Sequence, residues 1–374
     1  MIALIYRIEI ESQATTGEKF FRISWKSASL FAYYSVMNIL GVETSCDETS
    51  AAVLRDGELL SNIISSQFIH QKYGGVVPEL ASRAHQRLIV PVVNEALNIA
   101  VVTKHNLDGV AVTYGPGLMG ALLVGLNFAK AFAYALNIPL IGVNHLQAHI
   151  YSNFIDDPKP RYPFLCLIVS GGHTQLVHVT HPLQHKLLGE TLDDAAGEAY
   201  DKVAKMLGLG FPGGPIIDML AQGGNPNYVR FPRSLLDHEE YNFSFSGIKT
   251  AVLYWLRDHG FSRQNANVII SGQQVKDLCA SFQAAVVDVL VEKTLNAAAK
   301  LGVREIAVAG GVSANSELRR RLHDRASQMH DHVYFPKSEY CTDNAAMIAV
   351  IGWMKLQAGQ TSDLSLTAIA NLSL

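Results

Sequence analysis

Residues 38–54 read NILGVETSCDETSAAVL, and residues 164–179 read FLCLIVSGGHTQLVHV. Each stretch is an apolar run, a short polar or glycine-rich turn and a second apolar run, which is the pattern of a buried β-hairpin. Alternating helical and strand patterns follow both hairpins. The chain therefore repeats one plan twice, which predicts an α/β protein with mixed sheets in two lobes.

The apolar spacing after each hairpin distinguishes helices from strands. The predicted strands are residues 109–113, 139–143 and 305–309, and the predicted helices are residues 77–100, 118–136, 193–207, 248–258, 275–301, 315–326 and 344–358. We expect the last helix to pack back on the first lobe.

The length of 374 residues suits two lobes. The organised pattern begins at Met37, so we expect residues 1–36 to be an N-terminal extension or the product of a mis-assigned start codon. The expected boundaries are residues 37–145 plus 344–374 for lobe I and residues 146–343 for lobe II.

The composition is that of a well-buried globular chain. Hydrophobic residues make up 49% and charged residues only 17%, against a usual charged fraction of about 25%, which excludes intrinsic disorder. The net charge of −3 excludes binding of nucleic acid by a basic tail alone. Two local basic groups are candidates for such contact or are merely solvated helix faces: Lys72, Arg83, His85 and Arg87, and Arg319 to Arg321.

No membrane span or disulfide scaffold is expected. The most apolar stretch, residues 118–136, contains Asn127 and Lys130, so we predict a buried helix. Residues 1–36 lack the pattern of a signal peptide. The four cysteines are widely spaced, which favours a reducing compartment and a cytoplasmic protein: Cys46, Cys166, Cys279 and Cys341.

The turn of the first hairpin, Glu43 to Ser50, contains three carboxylates and several hydroxyls. Short polar side chains and free backbone N–H groups in such a turn suit a phosphate or its metal. A solvated hairpin tip is the alternative interpretation.

Three further glycine-rich turns are candidate phosphate sites. In Ser170 to Thr174, paired glycines let the backbone approach an anion. Ala309 to Asn315 joins a strand to a helix N-terminus, which favours a phosphate or ribose. Gly208 to Pro215 follows the helix that carries Asp201. Each is also compatible with an ordinary hairpin or loop, with Asn315 or Ser313 as the N-cap.

The sequence HLQAH places His145 and His149 on one helix face, the spacing that a divalent metal needs. A zinc protease of the HExxH type needs a glutamate after the first histidine, but that position is Leu146. Asp343 is a candidate third ligand or a helix N-cap. Two histidines and one carboxylate suit Fe²⁺ or Zn²⁺ without deciding between them.

Taken together, these motifs resemble the bacterial branch of the tRNA threonylcarbamoyladenosine transferase family, once described as glycoproteases. The matching stretches occur in family order between Met37 and about Gly359: ETSCDETS (43–50), YGGVVPELASRAH (73–85), GPGLMGALLVG (115–125), HLQAH (145–149), SGGHTQ (170–175), residues 193–215, FSFSGIKT (243–250), GGVSAN (310–315) and residues 341–347.

The resemblance implies an actin-like ATPase fold, with two RNase-H-like lobes and a nucleotide cleft between them. It implies transfer of a threonylcarbamoyl group from threonylcarbamoyl-adenylate to N6 of the adenosine 3′ of the anticodon, in tRNAs that read codons beginning with A, with release of AMP. It also implies partners in the cytoplasm, namely tRNA, a TsaB-like paralogue and a TsaE-like ATPase.

The resemblance also implies roles for individual residues. The metal, Fe²⁺ in the first place and Zn²⁺ in the second, would be held by His145, His149 and Asp343. Asp47 and Glu48 match acids that the family needs for activity, and either is a candidate general base. The adenylate would be bound by Ile168, Val169, Ser170, Gly171, Gly172, Asp201, Gly214, Asp218 and Asn315.

Three rival functions remain open at this point. An actin-like kinase or ATPase would use the cleft for ATP but leave the histidine pair idle. A metallopeptidase lacks its base at Leu146. A non-catalytic scaffold, like the family's shortened paralogue, would lack the histidine pair that this chain keeps.

Overall fold

The computed structural model of the chain describes residues 36–236, 240–261 and 271–374. The predicted N-terminal extension, residues 1–36, lies outside these ranges except for the exposed Val36.

The first sheet has five strands in the order β3-β2-β1-β4-β5. They are β1 (Asn38–Glu43), β2 (Glu48–Arg55), β3 (Glu58–Ser66), β4 (Gly109–Gly115) and β5 (Leu140–Asn144). β1, β2 and β3 pair antiparallel, with Gly41 opposite Ala52, whereas β4 and β5 run parallel to β1. Every residue of β1 and β5 is buried, which explains their continuous apolar sequences.

The second sheet repeats this plan in the order β10-β9-β6-β7-β8. Its strands are β6 (Phe164–Val169), β7 (Thr174–His181), β8 (Gln184–Glu190), β9 (Glu305–Ala309) and β10 (His332–Tyr334). β6, β7 and β8 again pair antiparallel, and β9 and β10 run parallel to β6. The predicted duplication is confirmed.

Ten α-helices lie in the described part of the chain. They are α1 (Pro78–Ala100), α2 (Met119–Leu136), α3 (His145–Tyr151), α4 (Ala196–Leu207), α5 (Gly213–Ala221), α6 (Ser246–Asp258), α7 (Gly272–Leu301), α8 (Ser316–Gln328), α9 (Ser338–Cys341) and α10 (Ala345–Gln357). α1 and α2 pack on the first sheet and on each other, while α7 contacts the second sheet, α5 and α8.

The last helix, α10, returns to the first sheet and contacts β1, β2 and β4. The contact with β1 is close, since a Cβ on Gly41 would lie 2.5 Å from the Ala345 carbonyl oxygen and 2.7 Å from the Ala349 nitrogen. Only glycine fits at this position. Because Asp343 directly precedes α10, this packing brings Asp343 back to the end of the first sheet.

The predicted buried helix at residues 118–136 is α2. Its length and apolar composition would suffice to cross a membrane, and 33% of its residues are buried. The buried face includes Leu122, Leu126 and Ala129 and packs on β4 and α1. This buried face accounts for only part of the apolar composition, since Leu123 and Tyr134 of α2 are exposed.

Candidate functional site

His145, His149 and Asp343 come together at the end of the first sheet. α3 begins directly after β5. The spacing of four residues places both histidines on one face of this helix, and both are buried. One oxygen of Asp343, Oδ1, lies 3.3 Å from His145 Nε2 and 3.2 Å from His149 Nε2. The three candidate ligand atoms all lie within 4.8 Å of one another, as the sequence predicts.

The chemistry of this cluster fits a metal ion. Among the described residues, Nδ1 of the buried His149 has no hydrogen-bond partner, and Nε2 faces the Asp343 carboxylate at 3.2 Å. Two buried imidazoles that converge on one carboxylate oxygen are a typical set of metal ligands. Burial also lowers the pKa of His149, so the ring is neutral and has a lone pair to offer. Burial opposes ionisation of Asp343, but the charge of His145 outweighs it and lowers the Asp343 pKa.

Glu43, the last residue of β1, lies behind His145. Its carboxylate is completely buried, and Oε2 lies 3.0 Å from His145 Nδ1. The pKa of His145 is raised because the charges of Asp343 and Glu43 outweigh the effect of burial. Glu43 is not among the site residues predicted from the sequence, although an acid at the end of a mostly apolar strand was a usable signal.

Asp47 lies in the turn between β1 and β2, and Glu48 is the first residue of β2. Burial and the nearby charges of Asp343 and Asp47 together raise the pKa of Glu48 to about 9. Burial and the same two charges also raise the pKa of the Cys46 thiol. The acids Asp47 and Glu48 and the candidate metal ligand Asp343 therefore belong to one acidic site.

His85 of α1 holds the turn between β1 and β2 in place. Its Nε2 lies 2.9 Å from the Cys46 carbonyl oxygen, and its Nδ1 lies 2.8 Å from the Thr49 hydroxyl. The ring is fully buried, and burial lowers its pKa. The interpretation of His85 as part of a basic surface was therefore wrong.

The matching turn of the second sheet follows β6. Ile168 and Val169 end that strand, and the Ser170 N–H donates to the His173 carbonyl oxygen at 2.8 Å. A Cβ on Gly171 or Gly172 would meet no atom within 4 Å, so both backbones face open space. The backbones of Gly171 and Gly172 are therefore open to a ligand, whereas the Ser170 and His173 N–H groups donate within the turn.

Two short networks hold the other predicted adenylate residues. Asp201 Oδ1 accepts the Gly213 N–H at 2.7 Å at the start of α5. Asp218 accepts hydrogen bonds from the Ser316 N–H at 3.1 Å and from its hydroxyl at 2.8 Å, at the start of α8. Asn315 caps α8 through the Leu318 N–H. Gln283 connects Asp218 with Asn315, because its amide donates a hydrogen bond to Asp218 and accepts one from Asn315.

A cavity of about 200 Å³ lies beside Asp201. Residues from both halves of the chain line it. Gly74 lies between β3 and α1, whereas Lys205 belongs to α4 and Phe211 lies between α4 and α5. Gly214, next to this segment, has open space where a Cβ would stand.

The family model described as "TsaD: tRNA N6-adenosine threonylcarbamoyltransferase" matches residues 58–350. The chain belongs to this family. It is 54% identical to the tRNA N6-adenosine threonylcarbamoyltransferase of Salinibacter ruber, an alignment that covers 90% of this chain and all of that protein. It is 49% identical to the enzyme of the same name from Thermosipho africanus, with the same coverage. These relationships identify an acyltransferase that acts on tRNA.

Solved structures of HypF share the fold at 14% sequence identity. Full-length HypF in its phosphate- and nucleotide-bound form matches with a TM-score of 0.56 over 87% of this chain and 47% of HypF. T. kodakarensis HypF matches with a TM-score of 0.58 over 88% of this chain and 49% of its own. The two sheets of this chain have the same strand order. Together with these matches, this confirms the actin-like ATPase fold.

The family relationship favours the transferase over the three rivals, namely the kinase or ATPase, the metallopeptidase and the scaffold.

The structure also accounts for the segment FSFSGIKT, residues 243–250. Asp193 accepts hydrogen bonds from the Ser244 and Ser246 hydroxyls, each at 2.6 Å, and from the Phe245 N–H at 2.8 Å. The segment therefore fixes the start of α6.

The basic run Arg319 to Arg321 is engaged within the protein. Arg319 donates to the Ser313 and Pro336 carbonyl oxygens at 2.7 and 2.9 Å. Arg320 pairs with Glu317 at 2.8 Å, and Arg321 pairs with the same acid at 2.5 Å. This run has a structural role in the described protein.

Proposed function

We propose that this transferase moves the threonylcarbamoyl group from threonylcarbamoyl-adenylate to N6 of the adenosine 3′ of the anticodon, in tRNAs that read codons beginning with A, and releases AMP. The observation that carries the proposal is the meeting of His145, His149 and Asp343 beside the turn acids. Membership of the tRNA N6-adenosine threonylcarbamoyltransferase family supports the acceptor.

We propose one divalent cation per subunit, Fe²⁺ in the first place and Zn²⁺ in the second, held by His145, His149 and Asp343. Two imidazoles and one carboxylate leave coordination positions for substrate. Such a cation would supply positive charge that stabilises the oxygens of the donor and the surrounding carboxylates.

We propose that the adenylate lies across the turn after β6 and the starts of α5 and α8. Ile168, Val169, Ser170, Gly171 and Gly172 would present backbone groups to the donor. Membership of the family supports the assignment of the remaining set, whose members lie in or beside α4, α5 and α8: Asp201, Gly214, Asp218 and Asn315.

The chemical step needs a proton acceptor, because the adenine N6 amine is a weak nucleophile. Its nitrogen attacks the carbamoyl carbon, a C–N bond forms, and the bond from that carbon to the AMP phosphate oxygen breaks, so that AMP leaves with the electron pair. We propose that Asp47 or Glu48 accepts the proton that N6 loses. Glu48 can do so only after it has lost its own proton, because its pKa is raised to about 9. Positioning of the two reactants supplies much of the remaining acceleration.

Single-turnover kinetics with preformed threonylcarbamoyl-adenylate test this role. Asp47→Asn and Glu48→Gln keep the size of each side chain and remove the proton acceptor. A base contributes roughly 10²–10⁴-fold, so the variant that lacks it loses transfer by that factor while it still binds the donor. Unimpaired transfer by both variants would exclude the two acids as the base.

We propose that the protein works in the cytoplasm with tRNA, a TsaB-like paralogue and a TsaE-like ATPase. Several large apolar side chains on the neighbouring helices α1 and α2 are exposed and support a protein partner there: Val90, Ile99, Leu123 and Tyr134. We also propose that lobe I comprises residues 37–145 plus 344–374 and that lobe II comprises residues 146–343.

A further inference from the structure

We propose that Glu43 is a positioning residue that fixes the orientation and tautomer of His145, so that the Nε2 lone pair of His145 faces the cation. This inference rests on the metal site of the proposed function. It assigns Glu43 an indirect role, because Glu43 acts through His145.

Three segments of the chain hold the Glu43 carboxylate in place. Oε1 accepts the Ser45 N–H at 2.5 Å, in the turn that carries the acids. Oε2 accepts the Thr113 hydroxyl of β4 at 2.6 Å and faces His145 Nδ1 of α3 at 3.0 Å. Since both oxygens are engaged and the residue is completely buried, the carboxylate cannot rotate to another arrangement.

The arrangement selects one tautomer of the imidazole. An ionised carboxylate only accepts hydrogen bonds, so it keeps the exchangeable proton of His145 on Nδ1. The opposite nitrogen, Nε2, lies on the side of Asp343, at 3.3 Å from Oδ1. A carboxylate behind a metal-ligating histidine orients the ring and increases its basicity.

The burial of Glu43 makes this partner essential. A fully buried carboxylate is unfavourable unless a charged or hydrogen-bonding group compensates it. Among the described residues, the ion-pair partner of Glu43 is His145. A cation on the other side of that imidazole would replace the positive charge that a proton on Nε2 otherwise supplies.

Glu43→Gln is the direct test, because glutamine has the same shape but one donor group. If the amide oxygen faces His145, the NH₂ group points at the Ser45 N–H, so two hydrogen-bond donors face each other. If its NH₂ faces His145, it favours the tautomer with the proton on Nε2, which blocks the metal position. Glu305→Gln is a matched control, because Glu305 is also buried and accepts the Tyr334 hydroxyl at 2.6 Å and the Arg161 N–H at 3.2 Å.

The readout is the dissociation constant for Zn²⁺ in a chelator competition, measured on full-length wild type and both variants. We expect Glu43→Gln to weaken Zn²⁺ binding about 10–100-fold and Glu305→Gln to change it less than about twofold. Equal affinity in wild type and Glu43→Gln would overturn the role of Glu43. Wild-type protein that binds no Zn²⁺ and no Fe²⁺ would instead overturn the proposed metal site.

A second measurement needs no variant and covers the case in which Glu43→Gln does not fold. Long-range ¹H–¹⁵N NMR of the Zn²⁺-loaded wild type reports which nitrogen of His145 carries the proton. We expect a proton on Nδ1 and the metal on Nε2. Metal on Nδ1, or a proton on Nε2, would overturn the inference.

Discussion

Asp193 and Ser246 are joined by two hydrogen bonds, from the Ser246 hydroxyl at 2.6 Å and from its backbone N–H at 3.2 Å. Ser246 is the first residue of α6, and Asp193 lies 53 residues earlier in the sequence, between β8 and α4. Phe245, the residue before α6, makes no side-chain cap. A carboxylate from a distant segment therefore satisfies the start of this helix.

Asp193→Ala removes these acceptors and is expected to destabilise the protein. Hydrogen bonds to a charged group contribute more than neutral ones, but Asp193 is exposed, and solvent reduces the effect to about 1 kcal/mol at pH 7. Urea denaturation measures the loss. Asp363→Asn is the control, since that exposed carboxylate accepts hydrogen bonds from Ser365, two residues away.

The effect of Asp193→Ala also depends on pH. Burial raises the pKa of Asp193, but hydrogen bonds from Ser244, Ser246 and Phe245 outweigh it and lower the pKa below the ordinary 3.8. The stabilisation is therefore fully present above pH 3.8 and is lost as the pH falls through the folded-state pKa. The difference in unfolding free energy between wild type and variant is expected to shrink below about pH 4. A difference that grows there would contradict this account.

Gly214 of the proposed adenylate site and Gly310, in the turn that leads to Asn315, are expected to respond differently to alanine. Gly310 has φ +89°, and a Cβ there would lie 2.5 Å from the Val169 carbonyl oxygen. Gly310→Ala is therefore expected to cost about 2 kcal/mol or more in unfolding free energy. Gly214 lies inside α5, and a Cβ there meets nothing within 4 Å, so Gly214→Ala should be neutral or stabilise the protein by up to about 1 kcal/mol.

Gly214→Ala at the same time tests donor binding. The added methyl group occupies the open space in front of the backbone, where we propose that the adenylate lies. We expect KM for threonylcarbamoyl-adenylate to rise while the unfolding free energy changes little. An unchanged KM in the folded variant would remove Gly214 from the donor site.

Arg319 and Arg320 are neighbours with different environments. Arg319 donates to two carbonyl oxygens and lies over the Phe335 ring, 4.9 Å from its centre, so Arg319→Ala is expected to cost about 2 kcal/mol. Arg320 makes exposed ion pairs, and Arg320→Ala is expected to cost about 0–0.5 kcal/mol. Urea denaturation distinguishes them. Equal losses would contradict the different roles assigned to these two arginines.

Most of the fold could be predicted, because each buried strand and amphipathic helix leaves a periodic pattern in the sequence. The strands β3, β8 and β10 were not predicted. β3 lies at the edge of the first sheet and has mostly half-buried residues. β8 reads QHKLLGE and lies at the sheet edge with exposed polar residues, and β10 has only three residues. α5 was missed because it begins at the Gly-Gly pair that was interpreted as a turn. The predicted helix at residues 193–207 begins only at Ala196, because the Asp193 carboxylate accepts hydrogen bonds at the start of α6 instead.

The candidate metal ligands His145 and His149 could be predicted because their spacing is local. Asp343 depended on family resemblance, since only the return of α10 to the first sheet places it beside the histidines. Glu43 was not assigned a role of its own, because its contacts with β4 and α3 join segments that are distant in sequence. The burial of His85 could have been predicted, since it lies four residues from both Ala81 and Ile89 on the buried face of α1.

Nucleoside mass spectrometry tests the central claim most directly. Unmodified tRNA is incubated with threonylcarbamoyl-adenylate, the partner proteins and either wild type, His145→Ala or the exposed-histidine control His332→Ala. We predict modified adenosine with wild type and control and none with His145→Ala. Equal product with His145→Ala would contradict the metal site, and no product with wild type, when the same partners support a known transferase, would contradict the proposed reaction.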